Sequence, residues 1–237
     1  MVFAQAKNSV TWEDCEAFDN KAFTPYTFVE GQGFQFDDYT SYSTARRCKS
    51  HDNSGAGFTF NNTADCSATG LRAYRNARRG LTIQNSRNVL AQSVTLCKNN
   101  LGGTRYPSSA SVAIPADTEE VTLSASPSTT LRNIAIKGRG LAQAINVGDA
   151  TSAGGSTCNG LVAGGVSALF GGAGGSLSGS AQLLADPVVS DTCIPQSGSP
   201  LLSAGVSAGV VLDAAYKSAR AVPTVGAHEY IAPRTSR

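Results

Sequence analysis

An all-β solenoid is the fold class this sequence predicts, on three observations. Cys48–Phe60 and Leu71–Ile83 are one pattern in different residues: an apolar residue, Asn five places on, Gly four further, then apolar-Thr-apolar. The copies start at Cys48 and Leu71, a 23-residue period that is too short for a helix pair or a propeller blade and suits one coil of a β-solenoid. With 25 Gly in the chain and only 15% of it charged, the sequence is poor in strong helix formers, as a strand-and-turn protein is.

The register extends both ways. Val94 lies one further period past Leu71, with Asn99 where Asn76 and Asn53 stand. Upstream, Cys15 and Asn20 repeat Cys48 and Asn53 at a spacing of 33, and the surplus, Lys21 to Gln32, reads as a loop inserted in one rung. Gly33-Phe34-Gln35-Phe36 then takes the place of Gly57–Phe60, and Phe3–Asn8 matches Ile83–Asn88, so the chain begins inside a rung. Each coil contributes three short strands, such as Phe58–Phe60, Asp65–Cys66 and Leu71–Ala73, which pair in parallel with the next coil. Alternation sends Phe34, Phe36, Phe58, Phe60, Leu81 and Ile83 inward as two columns and turns Gln35, Thr59 and Thr82 outward.

From about Gly102 that register fades. Ser124–Ile136 reads as further coils, with Leu131–Ile136 as one strand, and Gly154–Gly179 is rich in Gly, Ser and Ala. Leu161-Val162, Val166, Leu169-Phe170 and Leu177 recur through that stretch, so it reads as thinner coils rather than a linker. The expected organisation is a solenoid over 1–185, with regular coils at 1–103 and thinner ones at 104–185. A closing segment, 186–237, packs on it and hides an open strand edge. Ala4-Gln5-Ala6 has the form of a signal-peptidase site, but no basic and apolar leader precedes it, so it reads as rung sequence. No apolar run reaches the roughly 18–20 residues that span a bilayer.

Val10-Thr11-Trp12-Glu13-Asp14-Cys15 with Asp19-Asn20, then Gly33–Asp38, then Cys48–Phe60 resemble the right-handed parallel β-helix repeat family, which includes pectate-lyase-like enzymes and phage tailspikes. Ala185-Asp186-Pro187, Gln196–Leu201, Ala204-Gly205-Val206 and Val225–Tyr230 are similar to the closing segment of many secreted bacterial β-helix proteins. The resemblance implies a single-stranded right-handed parallel β-helix located outside the cell, on its surface or on a virion. It leaves activity open, because this fold hosts lyases, hydrolases, epimerases and adhesins.

Charge is unevenly spread. Residues 1–45 carry seven acids and two bases, residues 46–105 ten bases and two acids. One-rung stacking sets Lys49 beside Arg72, Asp52 beside Arg75 and Ala56 beside Arg79. Arg46, Arg47, Arg72, Arg75, Arg78 and Arg79 then form a basic strip, with Tyr74 and His51 among them. Lys49, His51, Arg72, Tyr74, Arg75 and Arg79 are the candidate binding residues for an acidic glycan, arginine offering carboxylates a planar fork. The other reading is a solvated face whose arginines pair with Asp19, Asp52 and Asp65. No nucleic-acid reading motif accompanies the strip.

Asp37 and Asp38, adjacent at a strand end, are the second candidate. The resemblance implies a Ca²⁺ site or an acid/base pair there, with Arg47 as the third catalytic candidate. The next coil offers Asn61-Asn62, and the one after it Asn85, in place of a second Asp cluster; the Gly-His-Gly and Arg-x-Lys elements of the polygalacturonase-like relatives are missing. The other reading is a turn ladder Asp38–Asn62–Asn85.

Six cysteines are even in number, but Cys15 and Cys48 share the inward column of Leu71 and Val94, as buried thiols or, at rung spacing, as a bridge. Cys158 and Cys193 are the expected disulfide. With only His51 and His228, a zinc site is not expected. The functional expectation is an extracellular or surface protein that binds an acidic polysaccharide and, if an enzyme, is a polysaccharide lyase or glycoside hydrolase. The alternative is a structural or adhesive subunit of a fibre or phage particle, stacking on a further subunit through its first coil.

Overall fold

The structure is a computed structural model that describes residues 1–5, 8–21, 31–102 and 117–202. Along the chain its strands are β1 (Val2–Gln5), β2 (Thr11–Glu13), β3 (Glu16–Phe18), β4 (Phe34–Asp37), β5 (Thr44–Arg46), β6 (Lys49–His51), β7 (Phe58–Asn61), β8 (Ser67–Thr69) and β9 (Arg72–Tyr74). They continue as β10 (Leu81–Gln84), β11 (Leu90–Cys97), β12 (Val121–Ser124), β13 (Thr130–Val147), β14 (Thr157–Gly171) and β15 (Gln182–Leu184), with one short helix, α1 (Ala150–Ala153), ahead of β14.

All the strand pairs named in register are parallel, and they join equivalent positions of successive coils. Phe34 meets Phe58 and Phe58 meets Leu81 on the first face. Thr44 meets Ser67 on the second, and Lys49 meets Arg72 on the third. The chain winds first face, second face, third face and on to the next rung, which is a parallel β-helix. The second strand of the repeat lies at Ser67–Thr69, just after the expected Asp65-Cys66, because Asp65 is needed at the corner with φ +54°. β11, β13 and β14 are continuous strands that bend around corners instead of stopping at them.

The core follows the alternation of the repeat. Phe34, Phe58 and Leu81 form one inward column and Phe36, Phe60 and Ile83 another, all buried. The Phe34 and Phe58 rings stack at 5.0 Å and 11°. Trp12 of the first rung lies 4.0 Å from the Phe36 ring at 9°, so one indole closes the aromatic column on that side. Thr59 and Thr82 sit on the outer face of their strands, as expected, but are buried there.

Two parts of the repeated pattern now have a physical cause. Asn20, Asn53, Asn76 and Asn99 form a ladder: the backbone N–H and side-chain amide of each donate to the next Oδ1, as Asn53 does to Asn76 at 3.2 and 2.9 Å. Each rung thereby satisfies backbone groups that burial would otherwise leave unpaired. The glycine four residues on is required by close approach. A Cβ on Gly57 would fall 2.7 Å from both the Ala73 Cβ and the Gly80 carbonyl oxygen.

Corners use the left-handed backbone region. Between the second and third faces each rung places one such residue: Asp14, Arg47, Gly70, Ser93, Asn133 and Gly160. Beyond the last rungs, Val188–Gln196 doubles back as a hairpin on the outer third face, with Gln196 N–H donating to the Val188 carbonyl at 2.9 Å. Its turn is tied to rung 4 by a Cys97–Cys193 disulfide. This corrects the expected Cys158–Cys193 pair. Cys158 points into the core from the second face opposite Leu131 and is a free thiol, whereas Cys97 points outward on the third face, where Cys193 lies. Cys15 and Cys48 are also free thiols. The remainder of the closing segment, from residue 203, and the inserted loop at 22–30 lie outside the described residues.

Candidate functional site

Alternation on the third face turns two columns outward: Glu16, Lys49, Arg72 and Thr95 in one, and Phe18, His51, Tyr74 and Cys97 in the other. His51 is sandwiched between the Phe18 ring at 5.4 Å and the Tyr74 ring at 4.7 Å, both nearly parallel to it. Its Nε2 lies 3.0 Å from a Glu16 oxygen and its Nδ1 2.7 Å from Asp52. Arg75 binds Asp52 through Nε and Nη2, at 3.0 and 2.5 Å, with its guanidinium 4.8 Å from the Tyr74 ring centre. Lys49 approaches Glu16 at 3.8 Å. Arg72, buried under the hairpin, donates to the Thr192 carbonyl at 3.3 Å. Burial pushes the Tyr74 phenol up from its ordinary range, the nearby Arg72 and Arg75 opposing.

The structure therefore brings Lys49, His51, Arg72, Tyr74 and Arg75 together, but interleaves them with acids. Arg79 stands apart, at the corner between the third and first faces. There Arg78 and Arg79 grip Asp117, and Arg79 also lies 3.2 Å from Glu119. Burial alone would raise the Asp117 carboxyl, yet the hydrogen bonds and charges of the two arginines hold it below the usual carboxylate range. Beside it Glu120, fully buried, ends the asparagine ladder by accepting from the Asn99 amide at 2.9 Å and from the Gly80 N–H at 3.2 Å. Desolvation pushes its carboxyl up to about 7.

Asp37 and Asp38 close the first face of rung 2, whereas Arg47 turns the corner between the second and third faces. Arg47 binds Asp14 at 2.8 Å and Glu13 at 2.5 Å on the rung before. Asp37 accepts from the amides of Gln35 and Asn61, and Asp38 from those of Gln5 and Asn62. The carboxylates thus act as rungs of a turn ladder. Among the described residues no three His, Cys, Asp or Glu side chains gather as a metal-binding group.

At the corner between the first and second faces a groove of about 640 Å³ runs along the helix axis. Rung 2 lines it with Tyr39 and Ser41, rung 3 with Asn62 and Ala64, and rung 4 with Asn85 and Arg87; Ala125, Pro127 and Thr151 extend it over rungs 5 and 6. Five rungs at ~4.8 Å make it about 20 Å long. Its depth comes from one column. Ser41, Ala64 and Arg87 bridge in register, and the two small members leave a trough that the Arg87 side chain overlooks. Among the described residues the Arg87 guanidinium makes no ion pair, and Tyr39 is 83% exposed. Asn62 and Asn85 add side-chain amides. Reading the sequence missed Tyr39 and Arg87; the Ser41–Ala64–Arg87 column, at the same spacing as the rest of the repeat, was the signal that could have found them.

No protein-family model matches the sequence, and no curated protein matches it. Among solved structures, the crystal structure of pectate lyase Pel9A is similar at 14% identity, covering 84% of this chain and 69% of that one, with a TM-score of 0.36. A likeness of that size carries no argument about site or activity. The fold rests on the coils themselves: the parallel register from rung to rung, the stacked core and the asparagine ladder make this chain a parallel β-helix protein.

Proposed function

We propose that the protein is an extracellular or surface β-helix that binds an acidic polysaccharide along the groove between its first and second faces. One observation carries this reading: an open polar trough crossing five rungs, with hydroxyls and amides in its walls, an exposed aromatic ring at one end and an arginine without an ion pair among the described residues at its middle. Hydroxyls and amides suit sugar hydroxyls, a tyrosine face suits a pyranose ring, and a guanidinium suits a carboxylate. The Cys97–Cys193 disulfide supports an oxidising location. Isothermal titration with acidic and neutral polysaccharides tests the reading. Tyr39→Ala and Arg87→Ala should each weaken acidic-glycan binding at least fivefold; affinities unchanged in both variants would overturn the groove as the site.

A second reading has its own observation. Among the described residues β1, β2 and β3 have strand partners on one side only, and Phe18 and Phe3 are 59% and 44% exposed there. An open rung of this kind suits a structural subunit that stacks on a further β-helical segment. A concentration-dependent rise in mass by light scattering supports it; a constant monomer mass up to high concentration removes it.

A further inference from the structure

We propose that the outer second face is a further polyanion site, a track on which a second stretch of acidic polysaccharide lies alongside the one in the groove; the ligand class rests on the reading above, the track does not. What marks this face is where unpaired positive charge is left. Arg47, Arg75, Arg78 and Arg79 are held by acids, and Arg72 lies under the hairpin. Among the described residues the guanidiniums of Arg46 and Arg132 make no ion pair, and both stand in one outward column of the second face. Register sets that column as Arg46, Thr69, Gln92, Arg132 and Asn159 over rungs 2 to 6. The column beside it carries Thr44, Ser67, Leu90, Thr130 and Thr157. Neither column holds an acid over these rungs, and Glu13 of rung 1 is bound by Arg47.

The face is flat because its inward side repeats one small residue: Ala45, Ala68 and Ala91 stack in register, all buried. Arg46 and Arg132 are three rungs, or ~14 Å, apart along the axis. That exceeds the Debye length of about 8 Å at physiological ionic strength, so each guanidinium acts on its own carboxylate rather than both on one. The face therefore favours a polymer with acids on separate units over a single small acid, each acid gaining a charge-assisted fork. Between and beside the two cations Ser67, Thr69 and Thr130, all half-buried, offer hydroxyls to sugar hydroxyls. The corner dividing the face from the groove carries Tyr42, Asp65 and Asn88 in the left-handed region. Asp65 repels a carboxylate there, so an acidic chain lies on either side of this corner and not across it.

Isothermal titration of the intact chain at low salt, with a galacturonate oligomer about 20 Å long when extended, counts the tracks. We expect two oligomers per chain. Arg46→Gln/Arg132→Gln, at outward positions, should remove one of them with the thermal midpoint unchanged, Arg46→Lys/Arg132→Lys should keep it in weakened form, and Arg87→Ala should weaken the other. In the Arg87→Ala variant, monomeric galacturonate should bind the second face at least tenfold more weakly than the oligomer, and physiological salt should weaken the oligomer at least threefold. One oligomer per chain, lost with Arg87→Ala and untouched by the Gln pair, overturns the second-face track and leaves the groove. One oligomer lost only with the Gln pair upholds the track and overturns the groove. No binding of the oligomer overturns both. Vesicles of phosphatidylglycerol that bind through Arg46 and Arg132 more tightly than the oligomer does would assign the face to a lipid surface and overturn the polysaccharide there.

Discussion

Rungs 2 to 4 and rungs 5 and 6 build the same coil by different means. The earlier rungs use separate strands of three or four residues, apart from the eight-residue β11 of rung 4, with one fixed period from Phe58 to Leu81, aromatic columns and an amide ladder. The later ones use β13 and β14, strands of 18 and 15 residues that bend through left-handed corners at Asn133 and Gly160, over a core of Leu, Ile and Val. Leu81 pairs with Val121, which lies well over one period further along the chain, so the connection between the two regions is long. What the regions share is the minimum the fold needs: inward apolar columns in register and left-handed residues at the corners. Aromatic stacking and asparagines are local means to that end.

Truncation in the core tests this contrast most strongly. Phe58→Ala removes a ring packed between Phe34 and Leu81 and should cost about 3–5 kcal/mol in a denaturant titration. Leu123→Ala, which continues the neighbouring inward column of Phe36, Phe60 and Ile83 into rung 5, should cost about 2–3 kcal/mol, since the surrounding Ile and Val side chains close on a smaller void. A loss below about 1 kcal/mol at Phe58 would mean that the aromatic column is not what holds the early rungs.

The contrast also marks how much was legible beforehand. The Phe columns, the recurring asparagines and the left-handed Asp/Asn corners follow from a fixed period, which a reader can count. Counting ends at Gly102. Asp117, Glu119 and Glu120 follow an insertion, so no register pointed to them as partners for Arg78, Arg79 and Asn99. Cys97 was countable: it continues the outward column of Phe18, His51 and Tyr74, and a cysteine facing out finds its partner outside the coil, at Cys193. The basic strip was only half legible. Rung spacing correctly set Arg75 against Asp52, but it gave no warning that Arg72 would lie under a hairpin. The groove is a property of several rungs at once, made by what Ser41 and Ala64 lack, and one-rung reading passes over an absence of side-chain bulk.

Comparing the ladders at two corners sharpens the point. At one corner, amides run from Asn20 to Asn99 and stop at Glu120; at another, hydroxyls carry on through rung 6, Ser86 N–H donating to Ser126 Oγ at 3.3 Å and Ser126 N–H to Ser152 Oγ at 3.1 Å. Asn76→Ala removes acceptors for the buried Asn53 N–H and amide and donors to Asn99 and the Ser50 carbonyl. Several unsatisfied groups at about 1 kcal/mol or more each predict a loss of about 3 kcal/mol. Ser126→Ala should cost about 1 kcal/mol. Equal losses at the two sites would show that the amide ladder has no special share in holding rungs 2 to 4.

The junction of the two regions carries a smaller effect than loss of the Asn76 amide, and its sign follows from Glu120. Its folded carboxyl is raised to about 7 from an ordinary value of 4.5, first by desolvation, against the hydrogen bonds from Asn99 and Gly80. Between those values the native chain holds a proton that the unfolded chain has released, so unfolding free energy falls as pH rises. The extra stability is fully present below about pH 4.5 and gone above about pH 7. At about 1.36 kcal/mol per unit the full shift sets an upper limit of about 3 kcal/mol, and relaxation around the ionised group brings the expected difference to about 2 kcal/mol. Glu120→Gln keeps a carbonyl oxygen for the Asn99 amide and has no proton to lose. Relative to the parent, the variant should therefore gain that same difference, about 2 kcal/mol, between acid and mildly alkaline pH, measured by urea titration at each pH. If parent and variant change in parallel over that range, the pH dependence belongs to other groups, and the last rung of the amide ladder is no less stable charged than neutral.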